Sequence, residues 1–284
     1  MQLPFGFQYN QSNLQDYQDC PRRFYLRHLQ QLAWPAIEAE PMLENEMSVR
    51  NGEAFHRLLH QYFTGIPREI LEKANLHEPL RSWWNDFMQR VALLPAIAQP
   101  GATLRSEYSL SAPLGSRRII AKYDLLATTE SGQVYIFEWK TYQNRPKRNW
   151  LKQRLQTVIY PFLITKAGIQ SPEFHPLQPE EITLVYWFAN FPDAPEVFAY
   201  NSRQFESDQQ KVTALIHQIN QAATIGHETA FPMTLDDRRC LFCNYRSYCE
   251  RGGAAGNARM SDEQAEDSLF TLQDSLEFIS EVEF

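Results

Sequence analysis

Two apolar runs rich in β-branched and aromatic residues flank a polar turn at Ser131-Gly132. They are Ile119-Ile120-Ala121-Lys122-Tyr123-Asp124 and Val134-Tyr135-Ile136-Phe137-Glu138-Trp139-Lys140. This composition and punctuation predict a pair of neighbouring strands and commit the centre of the chain to a sheet. Successive side chains of a strand face opposite ways, so Glu138 and Lys140 share the face of Val134 and Ile136. An apolar face ending in two charged groups costs free energy unless something compensates them. A solvated Glu–Lys pair fits the spacing. So does a divalent metal held by Asp124 and Glu138 with Lys140 beside a reacting phosphate, the arrangement of metal-assisted phosphodiester hydrolysis.

The cysteines impose a second constraint. Cys20 stands alone near one end, and Cys240-x2-Cys243-x5-Cys249 lies near the other. A chain with 43% hydrophobic residues and no signal-like leading segment is not read as a small secreted disulfide scaffold, which predicts free thiols in the cytoplasm. Four such thiolates suit a structural zinc or an iron–sulfur cluster. Their ligands would come from both ends of the chain and must meet, so residues 1–251 are expected to form one domain. No apolar run reaches the length of about 20 residues that a membrane span needs.

The formal net charge of −7 belongs to one segment. Residues 252–284 hold eight of the 34 acidic side chains and one of the 27 basic ones, leaving 26 of each sign in the body. That segment opens on Gly252-Gly253-Ala254-Ala255-Gly256 and reads as a flexible acidic tail, with apolar residues that could dock on a protein partner. Within the neutral body, Arg145, Lys147, Arg148, Lys152 and Arg154 cluster just past the second strand, where they could contact phosphates.

Periodicity predicts helices near 12–29, with Ser12 as N-cap, and near 51–64, 77–94 and 207–223. Strands are expected near 104–110, 118–126, 133–142, 182–188 and 196–200, with a helix after the third of these. No internal repeat and no Gly-rich phosphate loop is present.

Asp124-x13-Glu138-x-Lys140 on adjacent strands resembles the PD-(D/E)xK nuclease superfamily. Gly52-x3-His56 upstream and Gln156-x3-Tyr160 downstream narrow the resemblance to the RecB-like branch. Tyr123 stands where the superfamily motif has Pro, and Ala121 where many relatives have Gly; neither position supplies a ligand. The segment from Ser12 through Tyr17 to Cys20-Pro21-Arg22-Arg23-Phe24-Tyr25, with the later three cysteines, resembles the subgroup holding the CRISPR-adaptation exonucleases and the AddB nuclease module.

The resemblance implies an α/β fold with a restriction-endonuclease-like core, a central mixed sheet flanked by helices. It implies a metal-dependent deoxyribonuclease acting on single-stranded DNA or DNA ends in repair, recombination or CRISPR-type processing. Mg²⁺ or Mn²⁺ would be held by His56, Asp124, Glu138 and the Trp139 carbonyl, with Lys140, Gln156 and Tyr160 serving catalysis. Glu107, on the preceding strand, is an additional candidate carboxylate. Cys20, Cys240, Cys243 and Cys249 would hold a [4Fe-4S] cluster, with Zn²⁺ the alternative occupant. The rival expectations are a non-catalytic, cluster-stabilised DNA-binding subunit of a nuclease or helicase complex, and a redox-active cluster protein.

Overall fold

The computed structural model describes residues 3–32, 40–73, 76–168 and 177–252, with residues 40–46 described by backbone alone. The acidic tail, apart from Gly252, lies outside the described residues. In chain order the elements are β1 (Gln8–Tyr9), α1 (Gln11–Asp19) and α2 (Pro21–Phe24), the last passing into a π-helical turn over Tyr25–Leu29. Then come α3 (Glu40–Phe63), α4 (Arg68–Glu72), α5 (Leu80–Arg90), β2 (Thr103–Leu114), β3 (Arg117–Thr128) and β4 (Val134–Lys140). The chain continues through α6 (Arg148–Gln153), α7 (Leu155–Gly168), β5 (Ile182–Phe188), β6 (Glu196–Ala199) and α8 (Ser202–Ile225).

β3 is the hub of a six-stranded mixed sheet. β2 runs antiparallel along one edge of it, from Thr103↔Thr128 to Leu114↔Arg117. The other edge is shared: β1 pairs parallel at Arg118 and Ile119, and β4 pairs antiparallel from Leu125 to Thr128. Between those contacts, over residues 120–124, β3 has no ladder partner on that edge. β4 meanwhile continues past Phe137 paired with β5 alone, in parallel register through Lys140↔Phe188. The sheet therefore opens where Asp124 and Glu138 sit.

Each face of the sheet meets its own core. Val134 and Ile136 join Ile119, Tyr123, Phe162 and Val212 on the side of α1, α7 and α8. Phe137 and Trp139 join Phe55, Leu59, Trp84 and Phe87 on the side of α3 and α5. The two-residue alternation of β4 is kept to its end, which places Glu138 and Lys140 toward α7. β3 does not keep it. Ile119, Ala121 and Tyr123 face the first core, but Leu125 and Ala127 face the second, so the alternation slips by one at Asp124.

The expected helix over 12–29 is broken. Asn10, not Ser12, caps α1, accepting from the Asn13 amide at 2.8 Å while Asn13 returns a bond to the Asn10 amide. The helix ends because Pro21 disfavours helical backbone at the residue before it, and Cys20 is extended with φ −159° and ψ 105°. α8 starts earlier than expected because Asn201 caps it through the Gln204 amide. The mixed sheet between helical layers is the α/β architecture expected of the chain.

Candidate active site

Asp124 lies at the opening of the sheet and is only 5% exposed. Its Oδ2 accepts the Trp139 backbone N–H at 2.8 Å, which bridges the gap between β3 and β4 where their ladder has ended. Its Oδ1 lies 3.2 Å from Nδ1 of His56 on α3. Burial pushes the Asp124 carboxyl up, but His56, the Trp139 amide and Lys140 outweigh burial and hold it below the usual carboxylate range. The group is an anion at neutral pH.

Glu107 completes a cluster with these two. Donor atoms of His56, Glu107 and Asp124 all lie within 4.8 Å of one another. The ladder pairs Ser106 with Leu125 and Tyr108 with Tyr123, so Glu107 stands across from Asp124. Like charges in that relation repel, and here Lys122 forms an ion pair with Glu107. Glu107 also has a left-handed backbone, φ 56°, which is costly for a residue with a Cβ. The strain coincides with the slip in β3, so both strands change face at the same rung.

Glu138 and Lys140 are 4% and 2% exposed and lie on the α7 side of the opening. Lys140 Nζ is 3.2 Å from Glu138 Oε1. The same oxygen accepts from Gln156 Nε2 at 2.6 Å. Tyr160, one turn on, accepts from Gln11 Nε2 at its hydroxyl, while its backbone carbonyl accepts from the Tyr123 hydroxyl. The sequence-selected residues thus fall into two groups joined through the Trp139 amide: His56, Asp124 and Glu107 toward α3, and Glu138, Lys140, Gln156 and Tyr160 toward α7. Glu138 is not in the cluster within 4.8 Å.

Two supporting residues, Ser106 and Gln11, escaped the sequence reading. Ser106 donates to the Asp124 carbonyl at 3.2 Å, and His60 meets Ser106 Oγ at 3.0 Å, so the second histidine of α3 braces the site from below. Gln11 reaches Tyr160 across 149 positions of sequence, a distance at which no local pattern operates. The basic cluster past β4 is largely committed elsewhere. Arg145 and Arg148 both pair with Glu196 at 2.5 Å, and Arg154 is buried with its guanidinium over the Trp150 ring.

Cys20, Cys240, Cys243 and Cys249 line one cavity, together with Arg23, Arg239 and Arg246. All four are free thiols. Burial and then the neighbouring cysteines push Cys240 and Cys249 up to about 11, and burial raises Cys243 as well. The donor set fits a four-thiolate metal group, and the oxygen-and-imidazole set around Asp124 fits a hard divalent ion.

No helix among the described residues is long and apolar enough to cross a membrane. No curated protein matches the chain. Among solved structures, a candidate exonuclease from Eubacterium rectale is 9% identical with a TM-score of 0.47, covering 75% of this chain and 79% of that one. The protein SSO0001 is 12% identical with a TM-score of 0.41, covering 87% of each chain. A sequence profile described as PD-(D/E)XK nuclease superfamily matches residues 8–250. By that match, over nearly all of its described length, the chain belongs to the PD-(D/E)XK nuclease superfamily.

Proposed function

We propose that this protein is a metal-dependent deoxyribonuclease of the RecB-like branch, acting as an exonuclease on single-stranded DNA or DNA ends in the cytoplasm. The observation that carries the reading is the convergence of two side-chain groups at one opening of the sheet. A metal-ligand cluster lies on one side and a Lys–Glu–Gln constellation on the other, tied by the 2.8 Å bond from Trp139 to Asp124.

His56, Asp124 and Glu107 would hold Mg²⁺ or Mn²⁺, with Glu138 and the Trp139 carbonyl completing the set by resemblance. Bound there, the ion would supply Lewis-acid polarisation of the phosphate and an acidified water. The chain's own groups do the positioning. Gln156 holds Glu138, and Glu138 holds the Lys140 ammonium at 3.2 Å. Lys140 would place a fixed positive charge beside the non-bridging phosphate oxygens and orient the attacking water. Hydrolysis adds the hydroxyl to phosphorus and leaves the proton for the departing oxygen. The trio is buried, so it would act with little screening by solvent.

Cys20, Cys240, Cys243 and Cys249 would hold a [4Fe-4S] cluster, with zinc the alternative. Such a group would clip the two ends of residues 1–251 together. The acidic tail over 252–284 would serve a protein partner.

The test is cleavage of end-labelled single-stranded, blunt and circular DNA in Mn²⁺, Mg²⁺ or chelator, alongside Glu138→Ala. Metal-dependent loss of linear substrate that the variant abolishes, with circles resistant, is expected. Equal rates in the variant would assign the activity to a contaminant. DNA binding without cleavage would replace this reading with that of a non-catalytic subunit.

A further inference from the structure

Gln15 belongs to neither candidate site, yet it joins them. It lies on α1, is 6% exposed, and its amide bonds in two directions. Oε1 accepts the backbone N–H of Leu155 at 3.0 Å, and Nε2 donates to Asp19 Oδ1 at 2.9 Å. Leu155 opens α7, and the next residue is Gln156, which grips Glu138. Asp19 is held by Arg23 at 3.0 Å and Arg239 at 3.2 Å, and both arginines line the cysteine cavity. The chain of contacts therefore runs unbroken from the cavity wall to the catalytic carboxylate.

The physical need for Gln15 comes from the start of α7. The first N–H groups of a helix have no partner inside it, and a buried one requires an acceptor from elsewhere. α6 ends at Gln153, and Arg154 is extended with φ −65° and ψ 140°, so α7 starts afresh at Leu155. The acceptor comes from a side chain 140 positions away. Gln11, one turn earlier on α1, reaches Tyr160 at 3.3 Å, so α1 holds α7 at two successive turns.

We infer that Gln15 is a positioning residue, one that fixes the start of α7 and, through Gln156, the placement of Glu138 and Lys140. The inference rests on the nuclease reading. It makes the geometry of the cysteine cavity a determinant of the active site, because Asp19 cannot move without releasing Gln15.

Gln15→Leu removes both bonds, and the pair Gln15→Glu with Asp19→Asn keeps an oxygen for the Leu155 amide while reversing the donor between residues 15 and 19. Single-turnover cleavage of end-labelled single-stranded DNA in Mn²⁺ is measured for both, with metal content and amide exchange over residues 155–160. Gln15→Leu is expected to lower the rate about tenfold, with half-saturation by DNA unchanged within about twofold, since small misplacements of catalytic groups cost rate and not binding. Amide exchange at Leu155 should accelerate, while metal content should match wild type. The pair Gln15→Glu with Asp19→Asn should keep the rate within about threefold of wild type, since it retains an acceptor for the Leu155 amide and a donor–acceptor contact between residues 15 and 19. In a Gln156→Ala background the cost of Gln15→Leu should shrink to about twofold or less, because the two act in one chain. A general loss of folded protein would instead multiply in both backgrounds. Equal losses in both backgrounds, an unimpaired Gln15→Leu, or a Gln15→Glu with Asp19→Asn pair that keeps wild-type exchange at Leu155 yet cleaves as slowly as Gln15→Leu would each overturn the inference. If Gln156→Ala falls below detection, the rate and Leu155 exchange of the Gln15→Glu with Asp19→Asn pair decide. Wild-type protein that cleaves nothing refutes the nuclease reading instead, and is recognised as such because the exchange measurement still reports on the Leu155 contact.

Discussion

Replacing Asp16 by Asn tests the electrostatic framework that seats the first cysteine. Asp16 is fully buried and meets two guanidinium groups and an imidazole: Arg23 Nε at 2.8 Å, Arg27 Nη1 at 3.0 Å and His28 Nε2 at 2.9 Å. Burial raises its carboxyl, but Arg27, Arg23 and His28 lower it further, so it lies far below the usual carboxylate range. An amide keeps the shape, loses the charge and turns an NH₂ toward a donor. Arg23, itself 6% exposed, then keeps Asp19 as its remaining carboxylate partner among these contacts. Removing one partner of a buried ion pair costs about 3–5 kcal/mol. At about 3 °C per kcal/mol for a chain of this size, the melting temperature should fall by roughly 10 °C.

The pH dependence gives an independent check. The folded carboxyl titrates below its unfolded value of about 3.9, so its stabilisation is complete above that pH and is lost as pH falls toward the folded value. Urea unfolding of wild type and Asp16→Asn should show a gap at pH 5 that narrows below about pH 4. A gap below about 1 kcal/mol at pH 5, or one that widens below that pH, would refute the electrostatic argument.

Two further perturbations address the other halves of the molecule. Cys243→Ala should lose the iron or zinc bound by the purified protein and lower stability by about 3–5 kcal/mol, since the proposed clip closes a loop of more than 200 residues; elemental analysis and urea unfolding check this, and unchanged stability would mean the thiols are ordinary core. Glu107→Gly should relieve the φ 56° strain and raise stability by about 1 kcal/mol while slowing cleavage at least about tenfold; a destabilised variant of full activity would remove Glu107 from the site.

What the sequence disclosed, and what it hid, follows from the range of the interactions involved. The alternation of β4 was readable because two different cores meet its two faces, so Val134 and Ile136 part cleanly from Phe137 and Trp139. β3 defeats the same rule. Leu125, Leu126 and Ala127 are apolar in succession, so the slip at Asp124 leaves no trace in hydropathy, and with it goes the prominence of Glu107 opposite. The break at Cys20 was available locally, since Pro21 bars helical backbone at the residue before it; the apolar period running on past it obscured the rule. The commitment of Arg145 and Arg148 to Glu196 was not available, because the partners lie about fifty positions apart.

Gln15 is the limiting case. Nothing within ten residues of it distinguishes its role from that of any glutamine on a capped helix. Its meaning comes from the Leu155 amide, which is orphaned only because α7 restarts after an extended Arg154. Motifs therefore identify groups whose chemistry restricts them to a few residue types. The groups that set their geometry are restricted only by where a buried donor needs an acceptor, and many side chains meet that need. The same asymmetry explains why the two halves of the site are joined by a backbone amide: Trp139 donates to Asp124 whatever its side chain is, so no sequence pattern could have marked the bond on which the convergence depends.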